Sequence, residues 1–142
     1  MNRAEFELLR DMKDKVVAGD IRLSRRDALR PVREASDIRI ENSEGVDLRL
    51  TLRWNPETGK KTVGVHVPGV GPICRVDVDG PEHSHAGRSH KHSLQTAACP
   101  DRNLPDGVTP RPELAGLDLA TVFRQFCQDA SIAFGGSLDV GA

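Results

Sequence analysis

VDLRLTLRWNPETGKKTVGVHVPGVGPICRVDV, residues 46–78, decides the fold. Val46, Leu48, Leu50 and Leu52 alternate with Asp47, Arg49, Thr51 and Arg53, the two-residue period of a strand with one face in a core. Asn55-Pro56-Glu57-Thr58-Gly59 supplies turn chemistry. Thr62–Val67 then runs back with Val63, Val65 and Val67 inward, which places His66 on the opposite face. Pro68-Gly69-Val70-Gly71-Pro72 breaks the chain again. In Ile73–Asp79, alternation puts Ile73, Arg75, Asp77 and Asp79 on one face and Cys74, Val76 and Val78 on an apolar one. Successive alternating runs joined by short turns make an antiparallel sheet.

Upstream, Asp37–Glu41 alternates through Ile38 and Ile40, and Asn42-Ser43-Glu44-Gly45 reads as the turn into the next strand. Residues 2–17 carry Phe6, Leu9, Met12 and Val16 at three- and four-residue steps, a helical stripe with a capping box at Asn2 and Glu5 and a stop at Gly19. Residues 20–36 support two readings. Ser24 and Asp27 cap one helical turn before Pro31, or Ile21 and Leu23 alternate as a short strand. Downstream, a strand is expected over Ser89–Gln95. Residues 97–113 contain Pro100, Pro105, Pro110 and Pro112 and read as a long loop. Asp118 then caps a helix through about Ala130, with Leu119, Val122, Phe123 and Phe126 on one stripe and Gly135-Gly136 beyond it. The expected class is α+β: an antiparallel sheet of about five strands, with an N-terminal and a C-terminal helix packed on it. Residues 1–134 are expected to form one domain and residues 135–142 a flexible tail.

Of the 142 residues, 37% are apolar and 29% charged, a globular composition long enough for a core without disulfide or metal staples. Twenty basic residues face twenty-one acidic ones, a net charge of −1, so no global positive field draws the chain to nucleic acid or membrane. Arg22, Arg25, Arg26, Arg30 and Arg33 crowd the first quarter, but Asp20, Asp27 and Glu34 interleave with them, as on a solvated charged face. Three cysteines (Cys74, Cys99, Cys127) without CxxC spacing imply neither a disulfide framework nor a zinc finger. The first fifteen residues carry acids and no apolar run, so neither a signal peptide nor a membrane span is expected, and a reducing cytoplasm is the expected compartment.

The chemistry concentrates in RVDVDGPEHSHAGRSHKHSL, residues 75–94, which holds four of the five histidines. On the expected strand Ser89–Gln95, His90 and His92 share a face. If that strand pairs with Ile73–Asp79, they lie beside Arg75 and Asp77. Imidazoles titrate near neutrality, so two of them can divide proton removal and proton donation. Metal-independent RNA cleavage needs a base for the ribose 2′-hydroxyl, an acid for the leaving oxygen and a cation for the phosphorane charge. His90 and His92 are the acid–base candidates, Arg75 the phosphate cation and Asp77 the residue that orients a histidine. Arg53, His83, Arg88 and Lys91 are candidate substrate contacts, Arg53 provided that its strand is adjacent.

Two other readings stay open. His83, His90 and His92, with Asp77 or Cys99, could hold zinc or another divalent metal as a metal-binding module. Alternatively the histidine face is a docking surface for a protein partner. Trp54 and four phenylalanines leave few side chains for base stacking, because three of the phenylalanines read as core.

Arg75-Val76-Asp77 on a strand, then Gly80-Pro81 and His83, then His90-x-His92 and a terminal amphipathic helix, resembles a family of small uncharacterised bacterial and prophage proteins with an R-L-D, P-x-H, H-x-H order. It is similar, more loosely, to the TumE-type toxins of toxin–antitoxin loci, which share an H-x-H strand followed by a helix. The resemblance covers roughly residues 46–132. Ser84-His85-Ala86-Gly87 stands where the first family has asparagine-proline-aspartate-glycine, which separates the loop and His85 from that pattern. The resemblance implies a toxin-like or phage–host conflict protein with ribonuclease activity and no required cofactor. Its partners would be RNA and an antitoxin or a host or phage protein.

Overall fold

The seven-residue strands Leu48–Trp54 (β5) and Lys61–Val67 (β6) centre the molecule. The computed structural model describes residues 3–80, 90–93 and 108–141, with backbone alone at 3, 90–93 and 108–110. Earlier in the chain lie Arg3–Asp11 (α1), Lys15–Val17 (β1), Ile21–Arg22 (β2), Ser24–Arg25 (β3) and Arg33–Ile40 (β4). Later come Gly71–Val78 (β7), His90–Ser93 (β8), Val108–Pro110 (β9), Leu119–Ala130 (α2), Ile132–Phe134 (β10) and Leu138–Asp139 (β11). Strands β3 to β9 form one antiparallel sheet in chain order, a meander.

The expected α+β class holds, and the five expected strands correspond to β4 through β8. Two short strands, β3 and β9, extend the sheet at its edges. Strand β9 falls inside the stretch 97–113 that reads as loop, and a 3₁₀ turn at Pro112–Leu114 follows it.

One face of the sheet is the core. Leu48, Leu50, Leu52, Val63, Val65, Val76 and Val78 are buried on it, together with Phe6 and Leu9 of α1 and Val122, Phe123 and Phe126 of α2. Both helices therefore cover the same side, and among the described residues no helix lies on the opposite face. Helix α2 begins as its sequence predicts, with the Asp118 carboxylate accepting from Thr121 N at 2.8 Å. It ends at Ser131, whose left-handed φ of 58° turns its N–H back onto the Cys127 and Gln128 carbonyls.

Helix α1 is shorter than its stripe predicts. Phe6, Leu9 and Met12 are buried as expected, but the helix stops at Asp11 and residues 15–17 form β1. β1 runs parallel to β10, and Val16 bridges Glu41. Extended backbone reverses the burial: Lys15 and Val17 are inside, whereas Val16 is 37% exposed. Lys15 then bends back to the helix end and donates Nζ to the Leu9 and Arg10 carbonyls at 3.3 and 2.8 Å. It satisfies orphan acceptors that the missing turns leave.

In residues 20–36 the strand reading of Ile21 and Leu23 matches, since both are buried, and Asp27 accepts from Leu29 N in a local turn. Residues 135–142, read from sequence as a tail, include β11, which pairs in parallel with β2. Ser137 N also donates to Asp20 Oδ1 at 2.7 Å. Gly136 lies against the chain there; a Cβ on it would stand 2.6 Å from Gly19 O, so only glycine fits. Among the described residues no helix is long and apolar enough to cross a membrane.

Candidate functional site on the open face of the sheet

Register assembles the open face in rows. Residues directly opposite in an antiparallel ladder share a face. One row runs Glu34, Arg53, Thr62, Asp77, His90, Pro110 across six strands. The next runs Thr51, Gly64, Arg75, His92, Val108. Arg75 and Asp77 thus stand opposite His92 and His90, the pairing that the sequence made conditional on adjacent strands. Lys91 stands opposite Val76, one step out of these rows. Positions 90–92 are fixed here by their backbone register.

Asp77 is held on both carboxylate oxygens. Its Oδ1 accepts from Thr62 Oγ1 at 2.9 Å and its Oδ2 from Arg75 Nε at 3.1 Å. Its side chain is 13% exposed and that of Arg75 is 42% exposed, so the carboxylate is held down while the guanidinium reaches solvent. Charge-assisted bonds of this kind are short and directional and fix rotamers. Arg75 is engaged through its inner nitrogen, and its terminal nitrogens form the end able to meet an anion.

Arg53 lies on the same face, but β5 is not the neighbour of β7; β6 intervenes. Two strand spacings, about 10 Å, separate the Arg53 and Asp77 backbones. Arg53 donates Nε and Nη2 to Glu34 Oε2 at 2.9 and 2.7 Å. Glu34 also accepts from Arg26 Nη1 at 3.0 Å, and its side chain is only 5% exposed. One of the early-cluster arginines is thereby tied to the face through a buried carboxylate. Farther along, Arg49 Nε meets Asp47 at 2.6 Å, which raises the guanidinium pKa, and His66 Nε2 lies 3.4 Å from Asp37.

Ile73 departs from its expected face. Alternation groups it with Arg75, yet it is fully buried beside Cys74. The register shifts here: Val65 faces Cys74 and His66 faces Pro72, so β7 carries one extra residue. This β-bulge turns Ile73 inward without disturbing Arg75 and Asp77 beyond it.

Sequence reasoning passed over Thr62, Gly64 and Glu34. Thr62 and Gly64 were legible, because the alternation that sends Val63 and Val65 inward sends them outward. Glu34 was not, because its role depends on β4 pairing with β5. His83 and Arg88, with His85 and Cys99, lie outside the described residues. The alternative metal set His83, His90 and His92 therefore rests on residues whose side chains are not described. Among the described residues no three His, Cys, Asp or Glu gather as a metal site. The chain matches no protein-family model, no curated protein and no solved structure.

Proposed function

We propose that this open face cleaves RNA without a metal, in a small toxin-like or phage–host conflict protein. The observation that carries the reading is the register of β7 with β8, Arg75 opposite His92 and Asp77 opposite His90. In this reading one histidine removes the proton of a ribose 2′-hydroxyl as its oxygen attacks the adjacent phosphorus. The other protonates the departing 5′-oxygen. The products are a 2′,3′-cyclic phosphate and a 5′-hydroxyl, and no water is consumed. Arg75 neutralises the phosphorane oxygens, and Asp77, braced by Thr62, orients the imidazole opposite it. The resemblance to toxins of toxin–antitoxin loci supports the same reading and adds a protein antitoxin as a partner.

The test is incubation of untagged protein with single-stranded RNA in excess chelator. The expected result is cleavage leaving cyclic phosphate ends, lowered at least about a hundredfold by His92→Ala. Cleavage unaffected in a folded His90→Ala, His92→Ala double variant refutes the assignment. Cleavage abolished by chelator and restored by zinc transfers the histidines to the metal reading.

A further inference from the structure

Gly64 sits in the middle of β6 with nothing in its backbone that calls for glycine. Its φ is not in the left-handed region, and a Cβ would meet Arg75 Cγ at 3.5 Å and Cys74 O at 3.6 Å, ordinary contacts. Glycine inside a strand weakens it and marks a bulge or a place where something approaches the sheet closely; the β7 bulge begins one pair away, beside Val65, and the space above Gly64 is open to an occupant as well. The surroundings say what. Thr51 and Arg75 flank Gly64 across the ladder. Thr62 and His66 flank it along the strand, and Arg53 and Pro72 complete a hollow of about 210 Å³.

The charge around this hollow is balanced. Arg53 is paired with Glu34, Arg75 with Asp77, and His66 lies against Asp37. At the centre of such a ring a flat, uncharged heterocycle gains several contacts, while the terminal nitrogens of Arg75 at its edge stay available to a phosphate. Its face can lie over the bare Gly64 peptide and against guanidinium planes, which stack on bases as aromatic side chains do. Its edge meets hydroxyl and imidazole groups. Pockets that enclose drug-sized ligands run about 300–1,000 Å³. The hollow is smaller than that and suits a single ring system.

We propose that the Gly64 hollow is a nucleobase subsite, seating one unstacked base of a single-stranded RNA whose neighbouring phosphate meets Arg75. The inference rests on the RNA-cleaving reading of this face and adds the group that selects which nucleotide lies at the cut. It also accounts for the scarcity of exposed aromatic rings, since stacking falls to arginines.

The experiment measures dissociation constants of fluorescent RNA pentamers for the full chain carrying His92→Ala, at fixed salt. Intact pentamers are compared with ones lacking the central base. A stacked base is expected to tighten binding by about 5- to 150-fold. Gly64→Val, which fills the hollow, is expected to erase that difference, and its melting temperature should equal or exceed its parent's. Gly64→Ala, whose single methyl fits without a clash, is expected to reduce the difference and keeps the test open if the valine variant does not fold. Equal affinity for intact and base-free pentamers overturns the subsite, as does full discrimination in either folded Gly64 variant. Base-dependent binding by a wild-type chain that leaves RNA uncut refutes cleavage and retains the subsite. Cleavage with base-independent affinity does the reverse, and no RNA binding at all overturns both.

Discussion

Replacing Asp79 by alanine tests how the strand that carries Arg75 and Asp77 is anchored. Asp79 directly follows β7 and holds a left-handed φ of 56°. Its Oδ2 receives Lys61 Nζ at 3.0 Å, and both oxygens lie 3.1 Å from Gly116 N, on the approach to α2. The Lys61 side chain is 7% exposed, and its Nζ also donates to the Gly59 carbonyl at 2.8 Å. Stranding a buried ammonium by deleting its carboxylate costs about 3–5 kcal/mol when both partners are fully buried. Asp79 is 24% exposed, so water screens the loss and brings it below that range, to about 2 kcal/mol. Alanine tolerates left-handed backbone less well than aspartate, which adds about 1 kcal/mol. The expected total is about 3 kcal/mol, or a drop near 10 °C in melting temperature for a chain of this length. Urea titration followed by circular dichroism reads it directly. In a Lys61→Met background the same substitution is expected to cost only about 1 kcal/mol, because no ammonium is stranded. A loss under about 0.5 kcal/mol, or an equal loss in both backgrounds, refutes the reasoning.

Lys15 supplies a pH signature. Burial lowers its pKa, so the folded chain binds fewer protons than the unfolded one between that lowered value and about 10.5. Stability is expected to rise with pH across this window, and Lys15→Met should flatten the rise; urea midpoints from pH 7 to 10 with equal slopes in both proteins exclude it. Asp118→Ala removes the cap of α2 and is expected to cost about 1 kcal/mol at neutral pH. The Thr121 hydrogen bonds hold the Asp118 carboxylate below its usual pKa. Its contribution is therefore full above about pH 4 and fades as pH falls through the lowered value, so the two proteins should converge in acid. A constant gap from pH 7 to pH 2 contradicts the capping account.

The alternating runs of residues 46–78 were enough to establish the strands, their order and, apart from Ile73, their inward faces. Period two leaves no freedom once Leu48, Leu50, Leu52, Val63 and Val65 must share a core. The cap at Asp118 and the stripe of α2 were equally legible, because capping and amphipathicity act within one or two turns. The outward placement of Arg75 and Asp77 followed from the valines between them.

Three features needed the folded chain, each because its cause lies far away in sequence. Helix α1 ends early because β1 finds a parallel partner in β10, more than a hundred residues on, and that pairing outweighs a helical stripe of Phe6, Leu9, Met12 and Val16. Ile73 turns inward because one extra residue enters the ladder opposite Val65 and His66, and periodicity has no means of announcing a bulge. Glu34 became the anchor of Arg53 only when β4 met β5. Local patterning therefore settled which residues face out, whereas only the tertiary register decided which of them are neighbours. Side-chain direction is set by each residue's own backbone, but the row that joins Arg53, Thr62, Asp77 and His90 is set by how separate strands slide into alignment.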